Sequence, residues 1–190
     1  MLANYDWAVK PSWRAAIETE DMIDIHTLAR PFEPWNSLYS HSKVISAAVI
    51  TLHLGSMFIG GGLAVAADRA TLRVGAEHAD ERARQLTEVA DVHRPVLIGI
   101  ALLFVSGIAM ALADLENFLA SPVFWVKISL VTLLLINGAL LQRTESALRA
   151  DADRGSSVPA QWRRLRTFTL ASITLWIATF IAGSILTNAS

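Results

Sequence analysis

The hydrophobic pattern divides the chain into four long apolar runs separated by polar segments. The first, residues 44–67, contains no Asp, Glu, Lys or Arg. At ~1.5 Å per residue a helix of that length crosses a ~30 Å hydrocarbon core. Three further runs follow at about 95–113, 123–141 and 168–187. Pro95 and Pro122 stand at the starts of the second and third, where a helix does not need the missing N–H. The pattern predicts an all-α integral membrane four-helix bundle.

The polar segments are patterned as well. Within 68–94, Leu72, Ala76, Ala79, Ala83, Leu86 and Ala90 recur at alternating steps of four and three, the stripe of an amphipathic helix. Gly155, Ser156, Ser157 and Pro159 predict a break in the connection 142–166. Residues 1–40 form an amphiphilic tail, with Trp7, Trp13, Phe32, Trp35 and Tyr39 spread along it. Ser12 is placed to cap a short helix, and Pro31 and Pro34 are expected to stop it. Trp and Tyr favour the headgroup level, so the tail is expected along a membrane surface or against a partner subunit.

Composition agrees with this division. Of 190 residues, 53% are hydrophobic and only 17% charged, and mean hydropathy is +0.43, too apolar for an ordinary soluble domain. The net charge of −1 provides no basic field, so no nucleic-acid partner is expected. Cysteine is absent, which removes thiolate metal sites and cysteine nucleophiles. No basic region followed by a short apolar run marks a cleavable signal peptide.

Lys and Arg are unevenly shared. Arg69, Arg73, Arg82, Arg84 and Arg94 lie in one connection, and Arg143, Arg149, Arg154, Arg163, Arg164 and Arg166 in the other. Elsewhere there are only Lys10, Arg14, Arg30, Lys43 and Lys127. The positive-inside rule predicts a bacterial inner-membrane protein with both connections cytoplasmic and both termini periplasmic.

Candidate chemistry centres on His53, a histidine in the middle of the first run and costly there without a partner. Counting along the helices puts it ~14 Å below the outer surface. Thr132 falls at the same depth, with Ser106, Thr179 and Trp176 within a few ångströms, so these residues are candidates for a polar layer or cofactor site around His53. A haem b there would need a second axial ligand from a methionine or a second chain, because no other histidine lies at that depth. Met57, four residues on, shares a helix face with His53, and a thioether with an imidazole suits copper(I). The bland alternative is that His53 bonds one hydroxyl and holds helices together. Lys127 is expected to snorkel or to pair with Asp114 or Glu116, and Asn137 to bond a neighbouring helix. Asn137 with Gln142 is also placed to edge a quinone or lipid-headgroup pocket. No phosphate-binding loop, nucleophile elbow or zinc-protease motif is present. No pair of carboxylates lies inside the apolar runs, so proton-coupled transport is not expected.

Several short motifs carry a resemblance. His53-Leu54-Gly55, Gly60-Gly61 and Asp68-Arg69 mark the first run and its end. Pro95 opens the second, Pro122-Val123-Phe124 with Lys127 and Asn137 mark the third, and Leu175-Trp176 with Gly183 the fourth. Over about residues 40–187 this resembles a bacterial four-span membrane family without settled activity, loosely similar to the membrane domain of copper-resistance protein D. Arg69 directly after Asp68 and Ser184 after Gly183 depart from that pattern. The resemblance implies the four-span fold and, through the copper-resistance relatives, copper or redox cofactor handling.

Three functions follow as expectations. The first is an accessory subunit of a larger inner-membrane complex, without catalysis of its own. It would dock other membrane subunits, or a second copy, through its tail and small-residue helix faces. The others are a haem b/quinone electron-transfer protein using His53, and copper transport or delivery through His53 and Met57.

Overall fold

The computed structural model describes residues 25–75, 78–152 and 158–189. The expected cap at Ser12, the aromatic residues Trp7 and Trp13, and the break at 155–157 lie outside them. The described residues are almost entirely helical, with no strand among them. Four helices are long and apolar enough to cross a membrane: Lys43–Arg73, Ala79–Ala113, Pro122–Ala150 and Ala160–Leu186. The chain is thus a multi-pass membrane protein of the all-α, four-helix kind.

Two short helices precede the first span, α1 (Ile25–Ala29) and α2 (Glu33–His41), joined by a 3₁₀ turn at Arg30–Phe32. Pro31 sits in that turn and Pro34 in the first turn of α2, so these prolines start a helix as well as ending one. Ser42 then adopts an extended backbone and its hydroxyl accepts from the Ile45 N–H at 3.4 Å, capping the next helix. The first span is built from α3 (Lys43–Ser56), a π-helical turn at Met57–Gly61, and α4 (Gly62–Arg73). The second is α5 (Ala79–Ala113), followed by the short α6 (Leu115–Ala120). The third is α7 (Pro122–Ala152) and the fourth α8 (Val158–Ala189).

The helices run further than the apolar runs. Pro95 is not at a helix start but inside the 35-residue α5, with its ring on an exposed face. Likewise α7 and α8 continue through most of the polar connection between them. These extensions enclose the best-buried hydrophobic side chains among the described residues. Trp162, Leu165 and Leu148 are almost fully buried and pack with Leu86, while Val74 and Leu141 border the cluster. Burial of this kind is driven by water, which the polar ends of the helices meet and the lipid-facing middles do not. Trp162 Nε1 donates to the Val74 carbonyl at 3.4 Å, and Arg166 to the Leu72 carbonyl at 3.3 Å. These bonds satisfy carbonyls that the end of the first span leaves without intrahelical partners.

The stripe expected from Leu72 to Ala90 is correspondingly revised; its Ala76 lies outside the described residues. The buried face of α5 is Gln85, Leu86 and Val89, with Gly99, Ser106 and Ala113 beyond, while Ala79 and Ala83 are exposed. Gln85, Gly99, Ser106 and Ala113 fall on one seven-residue repeat, the seam of a left-handed helix crossing. Val92, the remaining position of that repeat, is only half-buried.

The first span packs against the second and fourth, and the third against the fourth. Asn137 ties the last pair, its Nδ2 donating to the Phe168 carbonyl at 3.0 Å. The second and third spans touch sparsely. The π turn places consecutive glycines against two different neighbours. Gly60 meets the backbone of Gly99 in the second span, and Gly61 meets the Trp176 ring of the fourth. α2 packs on the end of the second span, with Trp35 Nε1 donating to the Ala109 carbonyl at 2.8 Å and Asn36 Nδ2 to the Ala113 carbonyl at 2.6 Å. Beside it the Tyr39 ring meets Trp35 at a tilt of 50°, centroids 6.0 Å apart, and burial raises the phenol pKa above its ordinary value.

Candidate functional site

The half-buried seam position at Val92 marks a cavity of about 250 Å³ inside the arginine-rich half of the bundle. Small residues make room for it: Ala64 and Ala67 on the first span, Gly138 and Ala139 on the third. Val92, Val96 and Ile100 of the second span, Leu134 of the third and Trp176 of the fourth complete an apolar wall. Leu97 and Leu135 also line it, yet are 55% and 40% exposed. They form a rim where the second and third spans part, so the mouth faces lipid. A Cβ at Gly138 would meet nothing within 4 Å, which leaves the mouth open at that residue.

The floor is polar. Asp68, only 7% exposed, lines the cavity from the first span, and the Ser172 hydroxyl hydrogen-bonds its carboxylate. Its Oδ2 has no hydrogen-bond partner among the described residues. Glu145 of the third span is 3% exposed. One of its oxygens lies 3.4 Å from His93 Nε2 and 3.6 Å from an Arg149 guanidinium nitrogen, within ion-pair distance but without hydrogen-bond geometry. Gln142 adds an amide to the floor. Below it Thr71 accepts from Gln85 Nε2 at 3.2 Å and donates to the Ala67 carbonyl at 3.0 Å. A buried carboxylate is costly unless compensated, so an apolar chamber ending on two of them is unusual without a ligand or proton to receive.

These carboxylates are what sequence reading missed. Asp68 and Glu145 lie just beyond the apolar runs, and the helices carry them inward. The signal was present in the spacing: 64, 68 and 71, and 134, 138, 141 and 145, continue the inner faces of their helices at steps of three and four.

The sequence candidates are dispersed. His53 Nδ1 lies 3.0 Å from the Ser106 hydroxyl, which itself donates to the Leu102 carbonyl at 2.7 Å. The ring also hydrogen-bonds the backbone of Leu103, so His53 is held to the second span by two contacts. Lys127 is near enough to act electrostatically on His53 and reaches the Gly183 face of the fourth span. Thr132 is exposed and donates to its own helix at the Ile128 carbonyl. The Thr179 hydroxyl is buried without a hydrogen-bond partner among the described residues. Trp176 belongs to the cavity wall and packs on Gly61. Met57 is half-buried in the π turn. Among the described residues no three His, Cys, Asp or Glu side chains converge as metal ligands.

No protein-family profile, no curated protein and no solved structure matches this chain.

Proposed function

We propose that this chain is a membrane-embedded binding protein that admits an amphipathic small molecule from the bilayer between its second and third spans. The observation that carries this reading is the cavity, with its lipid-facing rim at Leu97 and Leu135, its apolar wall and its carboxylate floor. Binding sites are typically mostly apolar chambers with a few convergent polar groups. The accessory-subunit reading has less to rest on. The helix 33–41 docks on the chain's own second span, and Gly60, Gly61 and Gly99 are used in contacts between its own helices. Haem or copper at His53 would need ligands beyond the imidazole, whose Nδ1 lies on the Ser106 hydroxyl, and no cluster of three His, Cys, Asp or Glu side chains is found among the described residues. The arginine-rich end, and with it the polar floor, faces the cytoplasm of a bacterial inner membrane.

The test is photolabelling of the full chain in nanodiscs with a diazirine-bearing fatty alcohol. Label is expected on Val92, Val96 and Leu134 inside the chamber, and Gly138→Leu, which meets no neighbour at its Cβ, is expected to remove it. Label confined to outward-facing residues, and unchanged in Gly138→Leu, overturns the reading.

A further inference from the structure

The charges on the floor of the cavity do not balance, and this specifies the occupant, given that the cavity takes a molecule from the bilayer. Glu145 has His93 and Arg149 within ion-pair distance. Asp68 has the Ser172 hydroxyl and lies close enough to Glu145 for their like charges to interact, and among the described residues no basic side chain pairs with it. The residue lines the chamber, is more than nine-tenths buried, and leaves Oδ2 without a hydrogen-bond partner among the described residues. An ionised carboxylate accepts hydrogen bonds and cannot donate them, so its complement is a cation or a strong donor. The adjoining wall is Trp176, and an indole face attracts cations through its quadrupole. Val92, Val96, Ile100 and Leu134 would surround an uncharged body. The volume lies just under the range of pockets for drug-sized molecules, so that body is compact.

We propose that the cavity binds lipophilic organic ammonium ions, with Asp68 as counter-ion and Trp176 as the aromatic wall. The ion enters past Leu97 and Leu135 with its charge leading. It stops where the carboxylate replaces the hydration the charge lost. An anion of the same shape is refused, because it would meet Asp68 without compensation.

Two probes of one shape separate charge from hydrophobicity: benzyltrimethylammonium and its neutral carbon analogue neopentylbenzene. Their binding to the full chain in nanodiscs is measured by equilibrium dialysis against empty nanodiscs. The cation is expected to bind at least tenfold more tightly than the neutral probe. In Asp68→Asn, which keeps a group for Ser172 to bond, the preference is expected to fall to near onefold. Trp176→Phe should retain most of the preference and Trp176→Leu should weaken cation binding several-fold. Equal binding of both probes to the unaltered chain overturns the cation assignment and leaves the cavity reading standing. Binding of neither overturns both. A preference unchanged in Asp68→Asn overturns the role of Asp68. The comparison on the unaltered chain does not depend on any variant folding.

Discussion

Gly60 and Gly99 touch backbone to backbone: a Cβ on Gly99 would stand 2.7 Å from the Gly60 Cα, and one on Gly60 3.2 Å from the Gly99 Cα. No flexible side-chain end lies between them to give way. Gly99→Ala is therefore expected to push the first two spans apart and destabilise the protein by ~1–3 kcal/mol, the usual scale of overpacking. Gly60→Ala should cost less. Gly55→Ala, with nothing within 4 Å of its Cβ, should be neutral or slightly stabilising. Thermal unfolding in mild detergent ranks the three; equal effects at Gly99 and Gly55 would refute the contact.

The helix ends that meet water hold a packed cluster of their own. Trp162 is 0% exposed and closes the cluster with Leu86, Leu148 and Leu165. Trp162→Ala should lose ~3–5 kcal/mol, as large aromatic truncations in a packed core do. Trp162→Phe keeps much of the packing but drops the bond to the Val74 carbonyl, so a loss of ~1–2 kcal/mol is expected. Denaturant titration in detergent, followed by helical circular dichroism, measures both.

For His53 the expected role is structural. Ser106→Ala removes its hydroxyl partner, and an interhelical hydrogen bond of this kind contributes ~0.6–2 kcal/mol. His53→Ala should lower the unfolding temperature comparably, and the double variant should lose little more than either single one. Neither should alter photolabelling of the cavity, since His53 does not line it. A Soret band in the purified protein that disappears in His53→Ala would replace this reading with haem ligation.

Orientation is tested by labelling single cysteines, for which a chain without native cysteine is ready-made. Asp80→Cys at the arginine-rich end should react with an impermeant maleimide only after spheroplasts are lysed. Asn117→Cys, in α6 at the opposite end, should react in intact spheroplasts. The reverse pattern would turn the topology over and place the floor of the cavity outside the cytoplasm.

Much of the fold was legible because lipid imposes a simple rule. An uncharged run such as 44–67 must satisfy its backbone internally, so it is a helix whatever surrounds it. The arginine distribution was readable for a similar reason, as it depends on counts and not on contacts. The functions of individual residues were less legible. Depth counting matched His53 with Ser106 but also with Thr132, because depth along a helix says nothing of which way a side chain turns. Thr132 faces outward and only Ser106 meets the ring.

The sequence by itself determined the number of spans, the helical class, the positions of the glycines and the absence of thiol chemistry. Tertiary structure decided where the helices end and what their ends enclose. Pro95 lies inside α5, and Asp68 and Glu145 lie inside the bundle, because helices continue through polar residues whenever neighbouring helices bury one face of them. It also decided that the seam is closed at Gly99 and Ser106 and open at Val92. That gap lies where the second and third spans touch sparsely, while the first span is held to the second by Gly60 on Gly99 and to the fourth by Gly61 on Trp176. Hydropathy records only each residue's preference for lipid or water, so a gap between helices, and the carboxylates facing it, emerge only when all four are packed together.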